Sequence, residues 1–374
     1  MKKIGIMSMQ RIYNYGSFLQ AYGLKKIVES LGGKVEFVDY HKGKPLIEKD
    51  SSKGFKHKVK KGFELLNYRA SIKQKIQFIN YKRNFANKYV YQLGIGPKMN
   101  YNPKLDVLII GSDEVFNCVQ SNPNVGYSLE LFGKNNNANQ LVSYAASFGN
   151  TTIKKLKYFN KTIEIRELLD NFDSISVRDR NSESIVYDLI QQKPDHHLDP
   201  VLIYNFKHDS LTRHVETNED YIILYAYSGR ISHKESNWIK QYAKKKNYKI
   251  YTIGGVQECA DRFIDCEPFE VLSYFSNAKE VITDTFHGTI FSVISHKKFV
   301  TLVRKSQGTS YGNEEKLSDL LTRIDLQKQM TYDIENAENI LKQDINYEIV
   351  DKFLEKERNR SIKYLSNIID KNGD

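Results

Sequence analysis

The chain has 374 residues, of which 40% are hydrophobic and 27% are charged, and this length is comfortable for two globular domains. Its formal net charge of +11 would suit nucleic acid, an anionic membrane or anionic small molecules. The sequence contains no helix-turn-helix, zinc-finger or RNA-binding aromatic motif, so we expect no nucleic-acid partner. No apolar run approaches the roughly 18 residues of a membrane-spanning helix. The cysteines show neither disulfide nor zinc-site spacing, so no metal is predicted.

The N-terminal segment predicts a strand, a helix and a second strand. Residues 3–8 are apolar, but polar residues end the run too early for a signal peptide, so we interpret it as a strand and expect a cytoplasmic protein. Apolar residues at helical spacing within 17–31 predict a helix that a glycine pair ends, and residues 35–40 predict the next strand. A strand–helix–strand unit is typical of a parallel sheet.

Residues 42–100 interrupt this alternation with a basic segment. Lysines are frequent in its first part and aromatic residues in its second part, and acids are few among the lysines. We predict one or two basic amphipathic helices inserted into the first domain. Two interpretations of residues 42–88 stay open. They form either a solvated helical hairpin that packs through its aromatics, or a peripheral contact with the inner membrane face or with a pyrophosphate-bearing acceptor.

The alternation of strands and helices then resumes, and a near-continuous apolar run at 105–110 predicts a buried central strand. After a polar, aperiodic stretch at 206–219, the same alternation restarts. We therefore predict two Rossmann-like α/β domains, at 1–205 and 220–345, that face each other across a cleft in a GT-B-like arrangement. A long polar helix is predicted within 346–374, and we expect it to return to the first domain.

His287 carries the strongest local signal for function. It lies between a predicted strand at 280–283 and a helix that is apolar almost all round and is therefore buried. Ligands of open α/β sheets bind at the carboxyl ends of strands. The N–H groups of Gly288 and Thr289, at the start of this helix, predict an anion site there. The alternative is a core histidine that caps the helix.

Polar residues also follow two predicted strands of the first domain. In the loop after the first strand, Gly16 would let the backbone approach a ligand closely. Gln20, on the core-facing side of the helix, needs a polar partner, either a substrate hydroxyl or the neighbouring loop. After the strand at 105–110, Asp113 is a candidate carboxylate facing the cleft, with an N-cap of a following helix as the alternative.

Arg178 ends another predicted strand of the first domain. Its planar guanidinium suits a ligand with two anionic groups. The alternative is an ion pair with Asp179 or another carboxylate. Taken alone, each of these signals is unspecific.

In this order, the segments resemble the motif blocks of the polysaccharide pyruvyl transferase family. Residues 111–117 are similar to its GSDQVWN block and residues 283–288 to its TDSFHG block. Further matches are residues 13–24, 143–149, 176–179 and 199–200. The resemblance covers roughly residues 4–325.

The resemblance implies a GT-B-like fold and transfer of a pyruvyl unit from phosphoenolpyruvate to sugar hydroxyls, usually as a cyclic ketal, on a cell-surface polysaccharide or its precursor. No cofactor beyond this donor substrate is implied. His287 and Asp113 would then serve in catalysis, and Arg178, Gly288 and Thr289 would bind the donor. Candidates of the first domain that face His287 would bind a sugar acceptor, either lipid-linked or nucleotide-linked. These acceptor-side candidates are Asn14, Tyr15, Gly16, Gln20 and Ser112.

Two departures from the family blocks concern the donor. Thr285 occupies a position where some branches carry a donor-binding arginine, and Glu114 replaces a glutamine, which leaves open a different mode of binding or a different donor. Two other functions stay open as well. One is a GT-B glycosyltransferase that uses a nucleotide sugar, which a carboxylate that reads the ribose would indicate, and Asp284 could be mistaken for such a carboxylate. The other is a non-catalytic member that binds polysaccharide precursors.

Overall fold

A computed structural model describes residues 1–47, 68–120, 122–305 and 312–370. Its strands are β1 (Lys3–Met7), β2 (Lys34–Phe37), β3 (Leu105–Asp113), β4 (Ala138–Ala146), β5 (Ser176–Val177), β6 (Asp195–His196), β7 (Tyr221–Tyr225), β8 (Lys249–Ile253), β9 (Arg262–Phe263), β10 (Glu280–Thr283), β11 (Lys298–Leu302) and β12 (Met330–Thr331). They form two six-stranded sheets, in the orders β2-β1-β3-β4-β5-β6 and β12-β11-β10-β7-β8-β9. Neighbouring strands in both sheets are parallel.

Helices connect the strands on both sides of the sheets. They are α1 (Tyr15–Ser30), α2 (Ile72–Asn87), α3 (Ile153–Tyr158), α4 (Thr162–Leu169), α5 (Arg180–Ile190), α6 (Pro200–Ile203), α7 (His233–Lys246), α8 (Val271–Asn277), α9 (Phe286–Ile294), α10 (Glu314–Arg323), α11 (Ala337–Leu341) and α12 (Tyr347–Asp370). Within the described ranges, none of the helices is both long and apolar enough to span a bilayer.

The apolar runs become the buried central strands because helices cover both faces of a parallel sheet. Every residue of β10 is buried, and so are all four residues of β1 that follow Lys3. Helix α1 begins two residues earlier than predicted. Asn14 has extended backbone there, and its side chain accepts a hydrogen bond from the N–H of Ser17, which caps the helix.

The inserted helix α2 joins the two domains through its aromatic face. Tyr81 and Phe85 are buried, and their ring centres lie 5.3 and 5.2 Å from that of Tyr15 in α1. Tyr81 also lies 5.9 Å from Phe263 of β9 in the second domain. The described part of the insertion therefore packs through its aromatics. Residues 48–67, which include most of the lysines noted in the sequence, lie outside the described residues.

Helix α12 contacts both domains. Near its start, the hydroxyl of Tyr347 donates to the backbone carbonyl of Lys297 in the second domain. Near its end, the hydroxyl of Tyr364 donates to the carbonyl of Ser143 on β4 at 2.9 Å, and its ring lies 4.7 Å from that of His197. The terminal helix therefore returns to the first domain and ties the two sheets together on the side of α6.

Candidate active site

A cavity of about 330 Å³ lies between the domains, at the carboxyl ends of β1, β3 and β10. This is where open α/β sheets bind their ligands. The first-domain wall includes Asn14, Ser17, Asp113 and Arg178. The second-domain wall includes Tyr227, Arg230, Asp284, His287 and Lys316.

His287 lies in the first turn of α9 and contacts the first domain. The side chain of Thr285 caps this helix, which fixes His287 at the cavity wall. Its Nε2 is 3.6 Å from Oδ2 of Asp199, the first-domain residue that precedes α6. The imidazole also lies on Gly16, where a Cβ atom would come within 2.3 Å of the ring. Position 16 therefore requires glycine, because a ring of one domain packs on the backbone of the other.

Arg178 is buried between two carboxylates of its own domain. Its Nη1 is 2.8 Å from Oδ2 of Asp199, its Nη2 is 3.5 Å from Oδ1 of Asp113, and 3% of its side chain is exposed. Its guanidinium lies 4.3 Å from the ring centre of Phe286 in α9. Arg178 thus makes the ion pair that was the alternative to donor binding. Asp179 is not the partner, because it caps α5 instead.

Buried Arg178 and Asp199 form an ion cluster with the half-buried Asp113. Burial alone lowers the pKa of Arg178, but the carboxylates of Asp113 and Asp199 outweigh it and raise the pKa above its ordinary value. Burial likewise raises the pKa of Asp199, but its contacts with His287 and Arg178 outweigh this and hold that pKa below its usual range. The cluster therefore presents an ionised carboxylate to His287.

Asp113 and Asn14 are linked through Ser17. The hydroxyl of Ser17 donates to Oδ2 of Asp113 at 3.0 Å, and Nδ2 of Asn14 donates to the same hydroxyl oxygen at 3.1 Å. Asp113 is not a helix cap, because β3 ends there and the next helical turn in the described residues starts at Leu129. Its Oδ1 accepts from the N–H of Glu114 at 2.9 Å instead. Asp113 and Asn14 are therefore held in place with part of each side chain at the cavity.

Three acceptor-side candidates lie behind this wall and do not line the cavity. Tyr15 is buried between the domains, and its hydroxyl donates to the carbonyl of Cys266 at 2.8 Å. Nε2 of Gln20 donates to the hydroxyl of Ser8 at 2.8 Å, so its partner is the neighbouring loop. The hydroxyl of Ser112 donates to a backbone carbonyl at 3.0 Å and lies 3.5 Å from Asp199. These side chains support the site from the interior, which argues against direct contact with an acceptor.

The anion site expected at Gly288 and Thr289 is not available in this structure. The N–H of Gly288 donates to the side-chain oxygen of Thr285 at 2.9 Å, and the N–H of Thr289 donates to the carbonyl of Thr285 at 3.1 Å. The prediction treated the helix start as uncapped, whereas these two N–H groups are bonded to Thr285. Thr285, at the position where some branches of the family carry arginine, provides the cap.

Asp284 is fully buried in the second-domain wall. Neither of its carboxylate oxygens has a hydrogen-bond partner in the part of the chain that the structure describes. Nη1 of Arg230 is 4.0 Å from its Oδ2. Burial raises the pKa of Asp284 to about 6, and the nearby cations of Arg230 and Arg304 only partly oppose this.

Sequence reasoning did not assign Asp199, Arg230 or Lys316 to the site. Asp199 could have been found, since it lies in a segment that matches a family block, but its contact with His287 depends on how the domains dock. Arg230 and Lys316 look like ordinary surface cations in the sequence. Nζ of Lys316 is 2.7 Å from Oε1 of Glu114, so the glutamate that departs from the family block pairs with the opposite domain.

Comparisons with known proteins agree with this architecture. Among solved structures, MnaA of S. aureus in complex with UDP is 11% identical with a TM-score of 0.52, and the match covers 100% of this chain and 99% of that one. The glycotransferase of kitacinnamycin is 9% identical with a TM-score of 0.50, and 98% of each chain is covered. The chain spans 66% of a Thermobaculum terrenum O-GlcNAc transferase variant, which is 10% identical with a TM-score of 0.44, and 98% of this chain is covered. At this identity, the first two matches show the fold alone and confirm the predicted GT-B-like arrangement.

The sequence also matches one protein family over most of its length. No curated protein is matched. The family described as polysaccharide pyruvyl transferase matches residues 14–306, which include the cavity-lining residues from Asn14 to His287 and the helix that carries His287. The chain therefore belongs to the polysaccharide pyruvyl transferase family.

Proposed function

We propose that this protein transfers the pyruvyl unit of phosphoenolpyruvate to hydroxyl groups of a sugar acceptor, as a cyclic ketal, in polysaccharide synthesis. The observation that carries the proposal is the contact of His287 with the ionised Asp199 at the wall of an interdomain cavity that also holds cations. Membership of the family supports transfer to a polysaccharide. Experiments must test the identity of the donor and of the acceptor.

The donor carries a carboxylate and a phosphate, which require cationic partners. Arg230 and Lys316 lie on the second-domain wall, and the guanidinium of Arg230 is 4.6 Å from the ring centre of Tyr227. We assign the donor's anionic groups to these two cations, because the amides of Gly288 and Thr289 are already bonded. Donor binding by Arg178 stays a prediction, since two of its nitrogens face carboxylates.

His287 is the base in this proposal. A hydroxyl that attacks the donor must lose its proton, and an imidazole can accept it. Asp199 is ionised and 3.6 Å away, so it favours the imidazolium that forms and holds the ring in place. Asp113 and Asn14, on the opposite wall, offer oxygen and nitrogen atoms to hydroxyls of the acceptor. The acceptor is lipid-linked or nucleotide-linked in this proposal.

The test is phosphate release from phosphoenolpyruvate by the purified protein with a panel of lipid-linked and nucleotide-linked sugars. We expect release that depends on an acceptor, with a product heavier by one pyruvyl ketal in mass spectrometry. Parallel reactions with nucleotide sugars as donors test the glycosyltransferase alternative. Glycosyl transfer without phosphate release would replace the proposal, and binding of acceptors without turnover of either donor would favour the non-catalytic alternative.

We also propose a cytoplasmic location with a peripheral membrane contact through residues 42–88. In the described part of this segment, α2 exposes Ile72, Ile76 and Ile79, which are one helical face, at 78%, 54% and 43%. Lys73 and Arg83 are exposed on the same helix. Apolar and cationic side chains together favour an anionic membrane surface.

Co-sedimentation with anionic vesicles tests this contact. Ile76→Ser combined with Ile79→Ser should reduce the bound fraction, and high salt should reduce it further because it screens the cations. Ile349→Ser is the control, since Ile349 is also exposed on a helix, at 54%, but lies in α12. Equal binding by the wild type and the double variant at low salt would rule out this face.

A further inference from the structure

We propose that Asp284 is the acid that delivers a proton to the methylene carbon of the donor. This inference rests on the proposed function, because the pyruvyl transfer is the reaction that needs this proton. The transfer converts the CH2 group of phosphoenolpyruvate into the CH3 group of the ketal, so one hydrogen must reach that carbon. The proposed base, His287, accepts the proton of an attacking hydroxyl. The proton that reaches the methylene carbon therefore needs a different donor.

The position of Asp284 fits this role. It ends the buried strand β10 and precedes the Thr285 cap of α9, so it lies on the same wall of the cavity as His287. Asn313 donates to its backbone carbonyl at 2.6 Å, which fixes the residue. Neither side-chain oxygen has a hydrogen bond from another described residue, and the nearest guanidinium nitrogen, Nη1 of Arg230, is 4.0 Å from Oδ2. A carboxylate that only stabilised the fold would be expected to have such partners.

The surroundings of Asp284 favour its protonated form. Burial raises the pKa to about 6. The charged groups that act on it are Arg230 after β7, Arg304 after β11, and Glu235 on α7. Glu235 is itself 2.6 Å from Nη1 of Arg304, so that cation is shared. An anionic donor bound in the cavity adds negative charge near Asp284, which raises its pKa further and promotes proton uptake.

The reaction balances with these two groups. The π electrons of the donor's double bond take the proton of Asp284 and form the new C–H bond, while the first hydroxyl oxygen bonds to C2 and its proton passes to His287. The bond between C2 and the phosphate oxygen then breaks with its electron pair on phosphate, which takes the proton from His287. The second hydroxyl oxygen bonds to C2, and its proton returns to Asp284. Both side chains are thereby restored.

The decisive variant is Asp284→Asn, which keeps the size of the side chain but cannot supply this proton. We expect kcat to fall by about two to four orders of magnitude, while the Kd for phosphoenolpyruvate stays within about threefold. Calorimetry in buffers of different ionisation enthalpy counts the protons taken up when phosphoenolpyruvate binds. The wild type should take up more protons than Asp284→Asn near pH 7, because only the wild type can protonate Asp284. The donor's own phosphate contributes equally to both proteins, so the difference reports on Asp284.

Asp319→Asn is the matched control. Burial also raises the pKa of Asp319 to about 6, but it pairs with Arg180 at 3.3 Å and is not part of the cavity wall. We expect this variant to keep both turnover and proton uptake. Melting curves establish that each variant is folded.

Three results would overturn this inference and leave the proposed function intact. The first is a folded Asp284→Asn protein that releases phosphate as fast as the wild type, and the second is equal proton uptake by the two proteins. A loss of donor affinity that accounts for the whole effect would make Asp284 a binding residue, which also overturns it. A wild type that neither binds phosphoenolpyruvate nor releases phosphate from it would instead overturn the proposed function, and this inference with it.

Discussion

The two walls of the cavity differ in how their carboxylates are partnered. On the first-domain wall, Asp113 and the adjoining Asp199 share the guanidinium of Arg178, at 3.5 and 2.8 Å. On the second-domain wall, Asp284 has no hydrogen bond to its carboxylate from any described residue, and the guanidinium of Arg230 remains 4.0 Å away. Both carboxylate groups lie largely out of water, but the first is compensated by close ion pairs and the second only by a guanidinium at 4.0 Å.

This difference separates two uses of buried charge. Arg178 holds Asp113 and Asp199 in a fixed geometry, which suits groups that orient His287 and the acceptor. Asp284 has no close partner, and burial raises its pKa to about 6 because it makes the charged form unfavourable. Substitutions on the two walls should therefore differ in their effects on stability and on turnover.

The largest effect is expected where the two walls meet. His287→Ala should lower kcat by about two to four orders of magnitude without unfolding the protein, because it removes the proposed base. His296→Ala is the control, since His296 also lies 3.0 Å from an aspartate, Asp351, but outside the cavity. Phosphate release measures both variants. Near-normal turnover in folded His287→Ala would leave the histidine with a structural role only.

The next largest effect is expected for Arg178, which pairs with Asp113 and Asp199 on the first-domain side of the cavity. Arg178→Ala leaves the buried Asp199 and the half-buried Asp113 without this counter-charge, and we expect a loss of about 3 to 5 kcal/mol in the free energy of unfolding. Lys352→Ala removes a surface pair, because the side chains of Lys352 and Glu348 are 73% and 76% exposed, and should lose at most about 1 kcal/mol. Urea unfolding measures both.

Arg178→Lys distinguishes the two roles of Arg178. Lysine keeps the charge but cannot bridge two carboxylates with one planar group. Reduced stability with unchanged donor affinity would mark Arg178 as a positioning residue. Reduced donor affinity with unchanged stability would restore its predicted role in donor binding.

Substitution of Asp284 on the second-domain wall should change the free energy of unfolding in the opposite direction to Arg178→Ala. The pKa of Asp284 is raised from 3.8 to about 6 in the folded protein, so the folded state binds more protons than the unfolded state between these values. The associated stability is present below pH 4 and is lost as the pH rises through 6. Asp284→Asn cannot ionise, so at pH 8 it should be more stable than the wild type by about 2 to 3 kcal/mol. Urea unfolding at pH 4 and pH 8 should show this gap closing at the lower pH, and a gap independent of pH would contradict the assignment.

The smallest effect concerns Asn14. Serine caps a helix about as well as asparagine, so Asn14→Ser should change stability by less than about 0.5 kcal/mol. The amide group at the cavity is lost, and we expect the KM for the acceptor to rise more than the KM for the donor. Equal changes in the KM values for acceptor and donor would mean that Asn14 supports the structure of the first-domain wall and does not bind the acceptor.

The fold could be predicted because it depends on local patterns. Apolar runs with helices between them produce parallel sheets, and the position of His287 at a strand–helix junction follows from the same pattern. The strand pattern placed Asp113 and the loop that contains Asn14 after the ends of strands, and both residues line the cavity. These predictions needed no knowledge of how the two domains meet.

Contacts between the domains could not be predicted in this way. The pairing of His287 with Asp199 joins residues that are far apart in sequence, and only docking of the domains brings them together. Tyr15 was expected at the acceptor because it adjoins Gly16, yet its ring points into the aromatic interface with α2. The bonded N–H groups at Gly288 and Thr289 could not be predicted for a different reason. A single threonine cap decides whether the start of a helix can bind an anion.

The return of α12 to the first domain has a consequence for synthesis of the chain. Tyr364 bonds to the carbonyl of Ser143, which precedes it by 221 residues. At ribosomal speeds of about 5 to 20 residues per second, the two are made about ten seconds or more apart. During that interval the nascent first domain lacks the tyrosine that covers β4 and the ring of His197. The surface of the first domain is therefore covered completely only after the last helix has been synthesised.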